Sequence, residues 1–141
     1  MALTDWFTLK SPLHLEGEGV RLRPFRASDY AEWVELRMAS REFLQPWEPT
    51  WPADDLTRTG FRRRLTAYQR EIDLGVGFPL LVFRTSDGAM TGGVSISNVR
   101  RGVAMMGTVG YWCSAQHIRQ GLTLAAVRAT AEFAFGRLGL H

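Results

Sequence analysis

A helix that is apolar around most of its circumference has to be enclosed, and residues 120–138 read as such a helix. Leu122, Leu124, Ala125, Ala126, Val127, Ala129, Ala131, Phe133, Phe135 and Leu138 leave little room for a solvent-facing stripe, and Gly139 is a stop signal. What can enclose the helix stands just upstream. Three apolar segments, 78–85, 90–99 and 106–114, are separated by turn signals at Ser86-Asp-Gly88 and Arg100-Arg-Gly102. Connections this short cannot carry a parallel crossover, so the segments form an antiparallel meander. The helix is expected to lie deeply buried against that sheet.

The N-terminal half supplies one more strand and two helices. Residues 19–26 alternate Val20 and Leu22 with Arg21 and Arg23, a half-buried strand whose Pro24 places it near a sheet edge or ends it there. Asp29 with Glu32 predicts a capping box for a first helix that carries Tyr30, Trp33, Val34 and Met38 on one face. Three prolines within 43–52 make that segment a stiff, aromatic loop containing Trp47 and Trp51. Asp54 or Asp55 is expected to cap a second helix, with Phe61, Leu65, Tyr68 and Ile72 inward and Gly75 ending it. Arg62, Arg63 and Arg64 read as a solvated face, an RNA-facing role being the alternative. The order is β-α-α-β-β-β-α, an α+β fold with a mostly antiparallel central sheet flanked by helices.

Composition narrows the class. At 141 residues, 45% hydrophobic and 22% charged, the chain is one globular domain rather than a disordered segment. Its longest apolar run, 77–83, falls far short of the ~20 residues of a membrane span. An early acid and no long apolar stretch at the N-terminus exclude a secretory signal. The single cysteine, Cys113, rules out an internal disulfide and fits a reducing cytoplasm. Sixteen of the 17 basic residues are arginine. Arginine pairs with carboxylates and phosphates in a bidentate way, which points to anionic partners, with codon bias as the alternative source.

The chemistry concentrates where the last strand meets the last helix, from Gly110 to Thr123. A helix N-terminus offers unpaired amide N–H groups and the positive end of a dipole, so it binds anions. Gly121 lets a ligand approach the backbone, and Arg119 and Gln120 add donors and charge. Cys113 could be a nucleophile with His117 as its base; as a small buried strand residue it needs no such role, and no third group orients His117. His14 and His141 have no metal-ligand spacing with it, so no metal site is expected.

Several stretches resemble the GNAT superfamily of acyl-CoA-dependent N-acetyltransferases, and within it the Rim type that acetylates N-terminal amines of ribosomal proteins. Val20-Arg-Leu-Arg-Pro-Phe-Arg26 with Asp29 is similar to that group's first strand and helix start, and Leu44-Gln-Pro-Trp47 to its substrate-side loop. Gly110-Tyr-Trp112 looks like its fourth strand, and Gln116-His-Ile-Arg-Gln-Gly121 like the pyrophosphate signature. The resemblance implies acetyl-CoA as donor, held by Tyr111, Trp112, Cys113, Gln116, Arg119, Gln120, Gly121, Leu122 and Thr123. Main-chain groups near Trp112 and Cys113 would polarise the thioester, and Trp47 and Trp51 would wall the substrate side.

Two positions depart from the pattern. Arg119 replaces the signature's first glycine and could pair with a phosphate directly. Thr108 stands where many relatives carry a glutamate that works as general base. The amine must be neutral to attack, and an α-amine with a pKa of about 7.7–8.0 needs less help than lysine at about 10.4. An N-terminal acceptor therefore suits a site without a strong base. A small-molecule amine is the nearest alternative acceptor, and a non-catalytic CoA-binding or ribosome-associated module is the alternative outside the enzyme class. GNAT domains usually continue past this helix, so the resemblance also implies a domain incomplete at its C-terminus. The remainder would then come from a longer chain, or from another chain in a homo-oligomer or mixed assembly.

Overall fold

The computed structural model describes residues 13–41, 54–100, 106–117 and 120–139. Strand β3 (Phe78–Arg84) is its axis, because its side chains alternate between two separate cores. Phe78, Leu80 and Val82 enter one core, and Leu81 and Phe83 enter the other. Burial on both faces explains why this segment reads as an unbroken apolar run.

Around it lie β1 (Leu15–Gly17), β2 (Val20–Pro24), β4 (Met90–Arg100) and β5 (Met106–Cys113). The order in the sheet is β1-β2-β3-β4-β5, every pair antiparallel. The meander read from the sequence is therefore present, with bounds shifted by a residue at most. The three-residue strand β1 is an addition that periodicity over so short a stretch does not reveal. It hairpins onto β2 through Gly19, whose φ of +74° suits glycine. Because β1 covers β2, Pro24 marks the end of a strand rather than an edge of the sheet.

Helix α1 (Tyr30–Ala39) and helix α2 (Arg58–Leu74) cover one face. The expected Asp29–Glu32 capping box does not form. Asp29 closes a single 3-10 turn at Ala27–Asp29, accepting from the Arg26 amide (2.7 Å) and from both terminal nitrogens of Arg23 (2.8 and 2.7 Å). Glu32 instead accepts from the Met90 amide (2.8 Å), tying α1 to the start of β4. The inward face of α1 keeps Tyr30, Trp33 and Val34 against the core as expected and adds Leu36 and Arg37, whereas Met38 is exposed. Helix α2 is capped by Thr57, whose Oγ1 accepts from the Gly60 amide, not by Asp54 or Asp55. Those two acids pair with Arg63 and Arg64. Phe61, Leu65, Tyr68 and Ile72 do face inward, and Gly75 ends the helix in the left-handed region at φ +70°.

Helix α3 (Leu122–Glu132), followed by one π-type turn (Phe133–Arg137), covers the other face. It buries one side only. Leu122, Ala126, Ala129 and Phe133 follow helical spacing into the core, whereas Leu124 and Phe135 are about three-fifths exposed (58% and 61%). Enclosure around the full circumference is thus not what the described residues provide. The helix sits close to β1, since a Cβ on Gly17 would come within 2.9 Å of the Ala125 carbonyl oxygen. Among the described residues β5 pairs on one side only, leaving Met106, Val109 and Tyr111 exposed along the open flank. No helix among them is long and apolar enough to cross a membrane.

Candidate active site

The end of β5 leads through a short turn into α3, and that turn is pinned from below. The Ser114 amide donates to the Thr91 carbonyl (2.8 Å), the Ala115 amide to the hydroxyl of Ser40 (3.1 Å), and the His117 amide to the Ser114 carbonyl (2.9 Å). Ser40 and Ser114 are fully buried. Each hydroxyl has a backbone donor, since the Gln116 amide also donates to Ser114 Oγ (3.2 Å). Sequence reasoning missed both serines, whose only signal is their place at the close of a helix and of a strand.

Past the turn, Gly121 takes φ +72° and starts α3. A Cβ there would meet nothing within 4 Å, so backbone conformation rather than crowding calls for glycine. No side chain among the described residues caps this helix. The first amides of a helix have no acceptor within it, so those of Leu122 and Thr123 and their neighbours are available to an external anion. Gln120 stands beside them, its Oε1 accepting from Arg84 Nη1 (2.8 Å). Arg84 is itself clamped by Asp87 (3.0 and 2.6 Å), which holds the Asp87 carboxyl down at about 2. The Arg84–Asp87 ion pair at the end of β3 therefore borders the helix N-terminus through Gln120. Arg119, with Ile118, lies outside the described residues.

Cys113 ends β5, and its Sγ donates to the adjacent Ser114 carbonyl (3.5 Å), a local contact that orients no base toward it. His117 has a buried Nδ1 with no hydrogen-bond partner among the described residues. Burial, and after it the nearby Arg84 charge, lowers its pKa and favours the neutral imidazole. No three His, Cys, Asp or Glu side chains of the described residues gather in a metal-binding group.

On the α1/α2 face the same strands floor a groove of about 240 Å³. Register explains its shape. Gly93 lies opposite Trp112 and Ser95 opposite Gly110, so three small residues leave the floor open beside one large indole. A Cβ on Gly93 would come within 2.5 Å of the Trp112 Nε1, which places that indole directly over the glycine. Trp33 and Arg37 of α1 and Arg64 and Tyr68 of α2 form the walls. The Arg37 guanidinium stands 5.0 Å from the Trp112 ring and 5.9 Å from Trp33, and Arg64 stands 5.1 Å from the same Trp33 ring. Arg64 is thus part of a groove wall rather than of the solvated face that the sequence suggested, while Arg62 and Arg63 are exposed. The missed signal is an i,i+4 pairing of aromatic and arginine, Trp33 with Arg37 and Arg64 with Tyr68.

Thr108 pairs with Ser97 and Tyr111 with Val94. Neither Thr108 nor Ser97 can act as a base near neutral pH. Trp47 and Trp51, with the rest of the 43–52 loop, lie outside the described residues, as does the Arg101–Gly102 part of the second turn.

Comparison with known proteins fits this arrangement. The model of the acetyltransferase (GNAT) domain family matches residues 20–141. A probable N-acetyltransferase of Bacillus subtilis (strain 168), YjcK, is 29% identical over 127 residues, covering 90% of this chain and 70% of that protein. Among solved structures, Mycobacterium smegmatis RimJ in complex with CoA-disulfide superposes with a TM-score of 0.81 at 27% identity, over 92% of this chain and 64% of that one. The ribosomal-protein-S5-alanine acetyltransferase of Vibrio fischeri gives 0.83 at 27% identity, over 92% and 70%. The chain thus spans somewhat less than two thirds of the Mycobacterium protein's length. The matched segment reaches from β2 through α3 and the Gly121 that starts it: the chain belongs to the acetyltransferase (GNAT) domain family.

Proposed function

We propose that this domain binds acetyl-CoA at the β5–α3 junction and passes the acetyl group to an N-terminal α-amine lying in the groove on the α1/α2 face. The observation that carries the reading is the N-terminus of α3, which no side chain of the described residues caps, entered through a left-handed Gly121 and bordered by Arg84 and Gln120. Amides of Leu122, Thr123 and their neighbours would receive the pyrophosphate, with Gln116, Gln120 and Arg119 at its margin. The open edge of β5 near Tyr111, Trp112 and Cys113 would carry the pantetheine, and a main-chain N–H there would hydrogen-bond the thioester oxygen as it gains charge.

Transfer is direct. The neutral amine attacks the thioester carbon, the carbon–sulfur bond breaks, and CoA leaves as the thiolate, which takes up a proton. The nitrogen loses its extra proton to solvent. An α-amine is largely neutral slightly above its pKa of about 7.7–8.0, so a site with Thr108 in place of an acid can serve it. The two 27%-identical neighbours, one named for ribosomal protein S5, support a ribosomal-protein N-terminus as acceptor, and such an acceptor would place the activity in the cytoplasm. The test is release of CoA thiol on incubating the protein with acetyl-CoA and a panel of N-terminal peptides. Release that depends on a free α-amine supports the proposal; silence across the panel overturns it.

A further inference from the structure

We infer that Ser40, at the close of α1, is a positioning residue for the donor: its buried hydroxyl holds the β5–α3 turn in the shape that aims the first amides of α3 at the pyrophosphate. This rests on the reading of that helix N-terminus as the donor site. The turn begins with a single 3-10 turn, Ala115–His117, which is too short to keep its own place against the body. It is tied down from two sides. The Ser114 amide donates to the Thr91 carbonyl of β4 (2.8 Å), and the Ala115 amide donates to Ser40 Oγ (3.1 Å), 75 positions away in the chain. The first tie is backbone to backbone and continues the β4–β5 pairing. The second depends on one hydroxyl oxygen, so a single substitution removes it.

What makes Ser40 a firm anchor is the helix that leads into it. Near its start α1 is fixed by Glu32, which accepts from the Met90 amide (2.8 Å), and along its length by the burial of Trp33 and Leu36. Met90 opens β4 and Cys113 closes β5, and the two strands pair there, Gly92 opposite Cys113. Both ends of α1 thus grip the same end of the sheet, each through a side-chain oxygen that accepts from a main-chain amide. Ser40 is fully buried, which leaves water no access to replace its oxygen at Ala115. Beyond Ala115, the Ser114 hydroxyl accepts from the Gln116 amide (3.2 Å) and the Ser114 carbonyl from the His117 amide (2.9 Å), so a fixed Ala115 fixes the next two residues. Donors held in place before a ligand arrives need no ordering when it binds. A loosened turn has to be ordered at that moment. The loss falls on the phosphates and spares the thioester arm along β5.

Calorimetric titration with acetyl-CoA and with S-acetylpantetheine, the same thioester arm without phosphates, reads binding without requiring turnover. Ser40→Ala should weaken acetyl-CoA by about fivefold or more and leave S-acetylpantetheine within about twofold of wild type. Val99→Ala, a core truncation at the far end of β4, controls for lost stability and should leave the ratio of the two affinities unchanged. Should Ser40→Ala fail to fold, hydrogen exchange on the wild-type protein replaces it: the Ala115 amide should exchange about fivefold more slowly with acetyl-CoA bound than with S-acetylpantetheine bound. Equal weakening of both ligands, an unchanged acetyl-CoA affinity, the same loss of ratio in Val99→Ala, or an Ala115 amide that responds alike to both ligands overturns the inference. Selective weakening without CoA release from any acceptor would sustain the role of Ser40 while overturning acetyl transfer. Failure of the wild-type protein to bind acetyl-CoA overturns both.

Discussion

Placing one methyl group on each of two glycines of the groove floor should give opposite results. Gly93→Ala sets a Cβ 2.5 Å from the Trp112 Nε1 and 3.2 Å from the Leu80 carbonyl oxygen. The indole cannot simply step aside, because Arg37 stands 5.0 Å from its ring on the α1 side. Gly110→Ala meets only Ser95 Oγ at 3.7 Å, an ordinary contact. Both substitutions gain the same backbone term, ~0.5–1 kcal/mol from a less flexible unfolded chain. That term cancels in the comparison, leaving the cost of overpacking, about 1–3 kcal/mol, as the gap. Urea unfolding followed by tryptophan fluorescence measures it, with Gly110→Ala at or slightly above wild type and Gly93→Ala below. Equal stabilities would refute the placement of the Trp112 indole over Gly93, and with it the shape of the groove.

Other expectations follow from single contacts. Asp29→Ala strands the Arg23 guanidinium, 17% exposed, and the Arg26 amide, so unfolding free energy should fall by about 3–5 kcal/mol in the same assay; a loss below 1 kcal/mol would contradict the pairing. Gly121→Ala should cost about 1–2 kcal/mol from left-handed strain, and Gly121→Asn clearly less; equal costs would mean that backbone conformation is not what calls for glycine. His117 has a native pKa below its ordinary 6.5, so between those two values the unfolded chain binds the extra proton and stability declines as pH falls through that window. An NMR titration should place the His117 midpoint below 6.5, and His117→Gln should flatten the slope of stability against pH there; an unchanged slope would refute it.

The elements legible in the sequence are those with a strong local period. Strands β3, β4 and β5 and helix α2 lie close to their expected bounds, because alternation and helical spacing reflect burial directly. Errors gather where side chains choose between local and distant partners. Asp29 and Glu32 have the spacing of a capping box, yet a guanidinium six residues back and a backbone amide 58 residues on claimed them instead. Asp54 and Asp55 likewise each serve an arginine nine residues on, leaving Thr57 to cap α2.

The candidate site was legible on one side only. Gly121, Gln120 and the start of α3 stood out because a glycine before an apolar helix has local meaning. Arg37 and Arg64 did not, since an arginine's burial depends on which aromatic rings close over it. Trp33 and Tyr68 are adjacent on the same helices, but Trp112 arrives from a strand at the far end of the sequence. Ser40 and Ser114 were hidden for the same reason: their hydroxyls serve amides of a turn that exists only once α1 and β5 have met.

The proposed activity requires that the N-terminus of α3 hold the donor by its pyrophosphate. Isothermal titration calorimetry with acetyl-CoA and with S-acetylpantetheine, which carries the same thioester arm without phosphates, addresses it directly. Binding of acetyl-CoA tighter by about tenfold or more is the expected result, from charge-assisted hydrogen bonds to the helix amides. Equal affinity for the two, or no heat from either, would contradict it.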